Sequence, residues 1–144
     1  MIQIGFIGDG KHASKLKDII NKCSHKTKIT LFNYNNKINL NSNLDTTSDI
    51  KNLLKLDTIF ILCPNVYHFY YLELLYKNNY KGYIFCEKPI CENKEQFKKI
   101  NNILLSNYKK LFINFHQRHN DLLIEINKII KKRSFRKIIY FNIF

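Results

Sequence analysis

Residues 2–13 read IQIGFIGDGKHA, and this stretch decides the fold that the sequence predicts. Residues 1–7 alternate at first and then merge into the apolar run IGFIG, residues 4–8, which suits a strand that is buried on both faces of a parallel sheet. From residue 11 onward Ala13, Leu16 and Ile19 recur at helical spacing, with charged residues between them. The stretch therefore predicts a strand that leads directly into a helix through a glycine-rich turn.

The turn itself fits the pattern G-x-G-x-x-A at the place where a dinucleotide-binding fold requires it. Gly8 permits the tight turn, Gly10 lets a pyrophosphate approach the backbone, and Ala13 is small enough for close packing of helix on strand. The amino terminus of the helix attracts phosphate through its N–H groups. Candidate cofactor contacts are therefore Gly8, Gly10, Lys11, His12 and Ala13. The alternative is a glycine turn without a ligand, which is common in α/β folds.

The remaining chain alternates between strand-like and helix-like segments. This alternation favours an α/β fold with a doubly wound, mostly parallel sheet. Residues 35–47 are polar and rich in asparagine, and we interpret them as a connection. Further strands are predicted at residues 28–34, 57–63, 83–86, 111–115 and 136–144, and helices at residues 49–54, 66–77, 93–106 and 122–132.

The predicted second strand lacks the acidic residue that normally binds the adenosine ribose. Asn33 and Asn35 occupy this region, and Lys37 follows. Asn33 is the candidate contact here, and the lysine would suit the additional phosphate of NADP. The sequence therefore leaves both NAD and NADP open, and it also leaves open that this corner has lost its ligand.

The net charge of +13 raises the question of a nucleic-acid partner. Almost all of the positive charge is lysine spread along the chain, whereas base and phosphate recognition favours arginine. The only arginines are Arg118, Arg133 and Arg136. A basic nucleic-acid-binding domain is therefore the least favoured alternative.

The chain has 144 residues, which suits one principal core, and no export segment or membrane-spanning run opens it. We therefore expect a cytoplasmic protein whose four cysteines are free. His116 and His119 lack carboxylate or thiol partners at useful spacing, and we predict no metal site.

Two further motifs follow the central strands. LCPNVYH occupies residues 62–68, and CEKP occupies residues 86–89. Together with the glycine turn, their order and spacing resemble the Gfo/Idh/MocA family, named for glucose–fructose oxidoreductase and inositol dehydrogenase. INFHQR, residues 113–118, resembles the family's strand that leads out of the cofactor domain toward an arginine.

The resemblance implies a Rossmann domain that binds NAD or NADP, followed by an open-faced antiparallel sheet that holds a sugar or similar polyol. It assigns catalysis to Lys88, since an ammonium group beside a carbonyl or alkoxide stabilises developing charge or relays a proton. Pro89 would present Lys88 from a rigid turn, for which a cis peptide bond is one form. The other cofactor contacts that it implies are Cys63, Pro64, Asn65, His68, Glu87, Lys88 and Arg118.

Two of these residues have ordinary structural alternatives. Taken alone, His68 near a helix start is more often a packing or capping histidine. Glu87 and Lys88 alone would suit a surface ion pair. The sequence also departs from the family, because Cys63 stands where threonine is common and the family's downstream Asp and His have no counterpart.

These patterns predict a Rossmann domain at residues 1–118, and a linking helix and the first strand of an incomplete α+β domain at residues 119–144. We expect the cofactor-binding part of an oxidoreductase acting on a sugar, nucleotide sugar or related polyol, and incomplete as a catalyst by itself. A sugar-like substrate would bind only where a second domain or chain completes the site. The apolar strand at residues 136–144 predicts self-association or a complementing chain. The alternative is a non-catalytic relic or binding module with the same fold.

Overall fold

The computed structural model of the chain describes residues 1–32, 44–105, 110–115 and 120–131. Asn33, Arg118 and the predicted strand at residues 136–144 lie outside these ranges, as do His116 and His119. The chain divides after Asn114 into two compact units, Met1–Asn114 and Phe115–Phe144. The predicted domain boundary at residue 118 falls in the undescribed segment 116–119 and stays a prediction.

The first unit is built on a six-stranded parallel sheet with the order β3-β2-β1-β4-β5-β6. The strands are β1 (Ile2–Ile7), β2 (Thr27–Phe32), β3 (Asp45–Thr47), β4 (Thr58–Ile61), β5 (Tyr83–Glu87) and β6 (Leu111–Asn114). The helices are α1 (Lys11–Asn21), α2 (Ile50–Leu53), α3 (His68–Lys77) and α4 (Lys94–Leu105), and a 3-10 turn spans Asn65–Tyr67. The predicted doubly wound α/β fold is confirmed.

One short strand was not predicted from the sequence. Asp45–Thr47, which we interpreted as part of a polar connection, pairs in parallel with β2 as β3. Its three residues are polar and at least partly exposed, so that no apolar pattern marks them. The strand is defined by its pairing with Thr30, Leu31 and Phe32.

The hydrophobic core lies on both faces of the sheet, as expected for a parallel sheet whose two faces are both covered by helices. On one face Ile4 and Phe6 pack with Ala13 of α1. On the other face Ile7, Ile59 and Ile61 pack with α2, α3 and α4. These three isoleucines are completely buried, and burying each of them stabilises the fold by about 1.5–3 kcal/mol.

A row of phenylalanine rings crosses the sheet on the face that carries α1. Phe6, Phe60, Phe85 and Phe112 occupy directly paired positions on four neighbouring strands. Their ring centroids are 5.5, 4.8 and 4.9 Å apart in that order, and the last two pairs are stacked. Each such pair contributes about 0.5–1.5 kcal/mol beyond the burial of its area.

The second unit contains α5, Asp121–Lys131. Asp121 lies in its first turn, and Lys128 and Lys131 lie in its last turn. These charges complement the helix dipole at both ends. None of the helices in the described parts of the chain is long and apolar enough to cross a membrane.

Candidate dinucleotide-binding site

The site lies where the strand order reverses, between β1 and β4. In open parallel sheets, ligands bind at this switch point, in the crevice outside the carboxyl ends of the strands. Leu62 N donates to Ile7 O at 2.8 Å where this pair of strands ends. The glycine turn follows β1 here, and the segment Cys63–Asn65 follows β4.

Gly8 is the residue that the tight turn requires. Its φ of +118° lies in a region that residues with a side chain rarely adopt. A Cβ atom at this position would lie 2.6 Å from Cys63 N and 2.7 Å from Leu62 C, both of which are backbone atoms. The glycine therefore lets the turn after β1 pass directly against the chain that leaves β4.

Gly10 and the first turn of α1 have the properties that a pyrophosphate needs. A Cβ atom at Gly10 would meet no heavy atom within 4 Å. The first helical hydrogen bond runs from Ser14 N to Gly10 O at 3.1 Å, so the N–H groups of residues 11–13 precede it. Gly10, the N-cap residue, has no side chain to cap this end, and the first turn contains no acidic residue. Lys11 and His12 are exposed there, whereas Ala13 is buried against the sheet.

The segment after β4 divides into a buried and an exposed part. Cys63 belongs to the core cluster, and burial raises the pKa of its thiol to about 12. This thiol is therefore neutral at physiological pH. Pro64 and Asn65 are exposed where the 3-10 turn begins, so both are accessible to a ligand at the carboxyl edge.

His68 begins α3 and is completely buried. Its Nδ1 lies 2.7 Å from Pro89 O, and its Nε2 lies 2.8 Å from Cys63 O. The ring thus bridges the two sequence motifs through their backbones. The structure places it among protein groups, and the cofactor contact implied by the family resemblance stays a prediction.

The end of β5 brings the glycine turn and the CEKP motif together. Glu87 Oε1 lies 2.8 Å from His12 Nε2 and also accepts a hydrogen bond from Asn114 Nδ2. The Glu87 side chain is 18% exposed, so water competes weakly for it. Lys88 and Pro89 follow, both exposed, and the peptide bond between them is cis, one of the two forms considered for this turn.

The structure therefore gathers most of the predicted residues along one edge of the sheet. Sequence reasoning missed Asn114, the last residue of β6 and the partner of Glu87 in the parallel register. Asn114 could have been predicted, because the carboxyl ends of adjacent parallel strands meet at one edge of the sheet. Within the residues that the structure describes, no group of three or more His, Cys, Asp or Glu is placed to hold a metal.

A parallel sheet with a glycine turn at its switch point, and a helix amino terminus open to phosphate, defines a Rossmann domain of the dinucleotide-binding class. The chain belongs to the Gfo/Idh/MocA oxidoreductase family, whose model, described as an oxidoreductase family with an NAD-binding Rossmann fold, matches residues 2–115. The open space at Gly10 and the absence of an acidic residue from the first turn of α1 agree with this class.

Solved structures of several dehydrogenases share this fold. The scyllo-inositol dehydrogenase of Lactobacillus casei with NAD(H) and scyllo-inositol is 19% identical, with a TM-score of 0.74 over 96% of this chain and 43% of that chain. The myo-inositol dehydrogenase of the same organism with NAD(H) and myo-inositol is 17% identical, with a TM-score of 0.76 over 93% and 42%. The WlbA dehydrogenase of Bordetella pertussis with NADH and UDP-GlcNAcA is 16% identical, with a TM-score of 0.75 over 95% and 41%.

These likenesses establish the fold. The chain spans about two fifths of the length of each of these dehydrogenases. No curated protein sequence matches the chain.

Proposed function

We propose that this chain binds a nicotinamide dinucleotide with the pyrophosphate at the amino end of α1, and that it supplies the cofactor half of an oxidoreductase site. The observation that carries this proposal is the open space at Gly10 beside the first turn of α1, which contains no acidic residue. An anion placed there gains both the N–H groups and the positive end of the helix dipole. Lys11 adds a full positive charge at the same place.

Of the two cofactors, we favour NAD. The family is described by its NAD-binding fold, and the three dehydrogenases above contain NAD(H) or NADH. NADP is the alternative, and it rests on Lys37, which follows the predicted ribose-binding corner. Residues 33–43, including Asn33, lie outside the described structure. A side-by-side titration with both cofactors is therefore the direct way to choose.

We further propose that Lys88 is the catalytic residue for hydride transfer to or from a sugar, nucleotide sugar or related polyol. When bound, the nicotinamide ring accepts or donates the hydride. Lys88 is exposed at the carboxyl edge, where its ammonium group can stabilise a developing alkoxide or relay the alcohol proton. The substrate class follows from relatives that contain inositols or UDP-GlcNAcA.

A second domain or chain would complete the substrate site, either through self-association or through a complementing partner. The support is that the related dehydrogenases are more than twice as long as this chain. A cytoplasmic location suits this function, and the four free cysteines support it because reducing compartments preserve thiols. Sedimentation at several concentrations tests the self-association, and a clean monomer throughout would leave only the complementing partner.

Calorimetric titration with NADH and NADPH tests the binding proposal. The variant Lys11→Glu places a negative charge in the phosphate turn and should weaken binding by about tenfold or more. Lys26→Glu is the matched control, since it makes the same change of net charge at an exposed position just before β2, at the opposite end of the strands. We expect it to leave the affinity within about twofold of the wild type.

Circular dichroism of each variant shows whether a loss of binding reflects a loss of structure. Equal weakening by Lys11→Glu and Lys26→Glu would mean that only the overall charge attracts the cofactor. A folded wild-type chain that binds neither cofactor would contradict the proposal and favour the relic that kept the fold without its ligand.

A further inference from the structure

We propose that His68 is a positioning residue that holds the backbone carrying Lys88 against the segment after β4, and that it does so as a doubly protonated imidazolium. The role assigned to Lys88 rests on the proposed function. The protonation state of His68 stands on geometry alone.

The geometry concerns the two ring nitrogens and their partners. Nδ1 lies 2.7 Å from Pro89 O, and Nε2 lies 2.8 Å from Cys63 O. Both partners are backbone carbonyl oxygens, which accept hydrogen bonds and cannot donate them. A neutral imidazole carries one N–H and one lone pair, so one of the two contacts would bring lone pairs together at hydrogen-bonding distance. Only the ring with two N–H groups donates to both carbonyls.

The burial of the His68 ring determines what a charge on it requires. His68 is 0% exposed, and a buried charge is tolerated only where hydrogen bonds compensate for lost water. Hydrogen bonds from a charged donor are shorter and stronger than neutral ones, and both distances lie at the short end of the usual range. Two such bonds satisfy the two N–H groups of the ring completely.

The two ring nitrogens contact these carbonyls, and the ionisable groups on the adjoining segments are two thiols, Glu87 and the exposed Lys88. Burial raises the pKa of the Cys63 thiol to about 12. Burial, with Cys63 and Glu87 nearby, raises the pKa of the Cys86 thiol above its usual range. Both thiols are therefore uncharged at neutral pH. The Glu87 carboxylate contacts His12 and Asn114.

The two carbonyls belong to different motifs, which gives the bridge its positioning role. Cys63 lies at the exit of β4, and Pro89 directly follows Lys88 after β5. One buried ring therefore fixes the distance between the two exits. Lys88, which itself is exposed, projects from backbone that is held at the next residue.

Nuclear magnetic resonance of the wild-type chain with 15N-labelled histidine tests the protonation state. At pH 7 we expect N–H signals from both ring nitrogens of His68, which disappear together in His68→Gln. The control His25→Gln changes an exposed histidine and should leave both signals in place. A single protonated nitrogen in His68 would overturn the imidazolium.

A comparison of two ligands tests the positioning role. ADP retains the pyrophosphate but lacks the nicotinamide end, whereas NADH has both. We expect His68→Gln to weaken NADH binding by about tenfold while ADP binding stays within about twofold, because one of two charged hydrogen bonds is lost at the nicotinamide side only. Equal losses for both ligands, or an unchanged NADH affinity in a folded variant, would contradict positioning.

The two experiments separate this inference from the proposed function. If the wild-type chain binds neither NADH nor ADP, the proposed function and the positioning of Lys88 both fail, and the resonance experiment alone decides the state of His68. If His68→Gln does not fold, His68→Asn replaces it in the ligand comparison, and the wild-type spectrum still decides the number of protons.

Discussion

His12 Nε2 lies 2.8 Å from Glu87 Oε1, so that the helix after the glycine turn is tied directly to the carboxyl end of β5. Asn114 at the end of β6 donates to the same carboxylate oxygen. One acidic side chain therefore connects the exits of β1, β5 and β6. This carboxylate therefore connects the turn proposed to hold the pyrophosphate with the strand that precedes Lys88.

A double-mutant cycle with His12→Ala and Glu87→Gln should show a coupling of about 0.5–1 kcal/mol in the free energy of unfolding. His12 is 53% exposed, which limits the coupling, whereas the 18% exposure of Glu87 favours it. Urea titrations of the four proteins measure it. The pair Lys28 and Asp45 is the control, because both side chains are at least half exposed and should couple more weakly. Equal couplings would show that the burial of Glu87 has no effect.

The two glycines of the turn should differ in how much stability they lose on substitution by alanine. Gly8→Ala combines a φ of +118° with a Cβ atom 2.6 Å from backbone, and we expect it to destabilise the chain by about 3 kcal/mol or more. Gly10→Ala meets open space at a φ of −69°, and should cost about 1 kcal/mol or less. Thermal unfolding of the two variants measures both effects.

Gly10→Ala also has a functional prediction. Its methyl group would occupy the space that we assign to the pyrophosphate, so a folded, nearly stable variant should lose most of its affinity for NADH. Calorimetry on the same preparation checks this. Undiminished binding by Gly10→Ala would place the pyrophosphate elsewhere.

The four cysteines should react with a thiol reagent in three classes. Cys23 is exposed and should react at once at pH 8, and Cys91, which is partly exposed, should react more slowly. Cys63 and Cys86 are buried and their thiol pKa values are raised, so both should react only after unfolding. Ellman's reagent with and without denaturant counts the classes. Loss of the fast class in Cys23→Ser identifies it, and rapid labelling of all four thiols would contradict the burial.

The same raised pKa values predict a loss of stability in alkali. Unfolding returns each thiol to its ordinary pKa of 9.0, so above that pH the unfolded chain releases a proton that the native chain keeps. The contribution of each of these thiols to the free energy of unfolding is therefore constant below about pH 9 and falls above it, by up to about 1.4 kcal/mol per pH unit. Urea titrations between pH 8 and about 11 should show a shallower decline for Cys63→Ala than for Cys23→Ala. Identical slopes would contradict the shifted pKa of Cys63.

The sequence was informative where a local pattern has a single structural meaning. The apolar runs of β1 and β4 and the glycine turn predicted the central sheet and the location of the site. β3 could not be predicted, since Asp45–Thr47 is polar and becomes a strand only by pairing with β2. The contact of His12 with Glu87 joins residues that are distant in sequence, and it depends on a register that local patterns do not specify.

His68 illustrates the same limit at the site. The family resemblance implied a cofactor contact, and the residue considered alone suggested packing. The structure shows a fully buried ring between two carbonyls, and one of them belongs to Pro89, which lies 21 residues away. No periodicity in the sequence encodes such a contact.

Phe6, Phe60, Phe85 and Phe112 lie at the same level of four neighbouring strands. A strand that slips must move by two residues to keep its faces, and such a move would take its ring out of the row. Gly8, Glu87 and Asn114 each lie two residues beyond a ring of this row. A change of register that displaced a ring would therefore also displace Gly8, Glu87 or Asn114 along its strand. The contacts among the residues at the carboxyl edge thus depend on the packing of the rings inside the sheet.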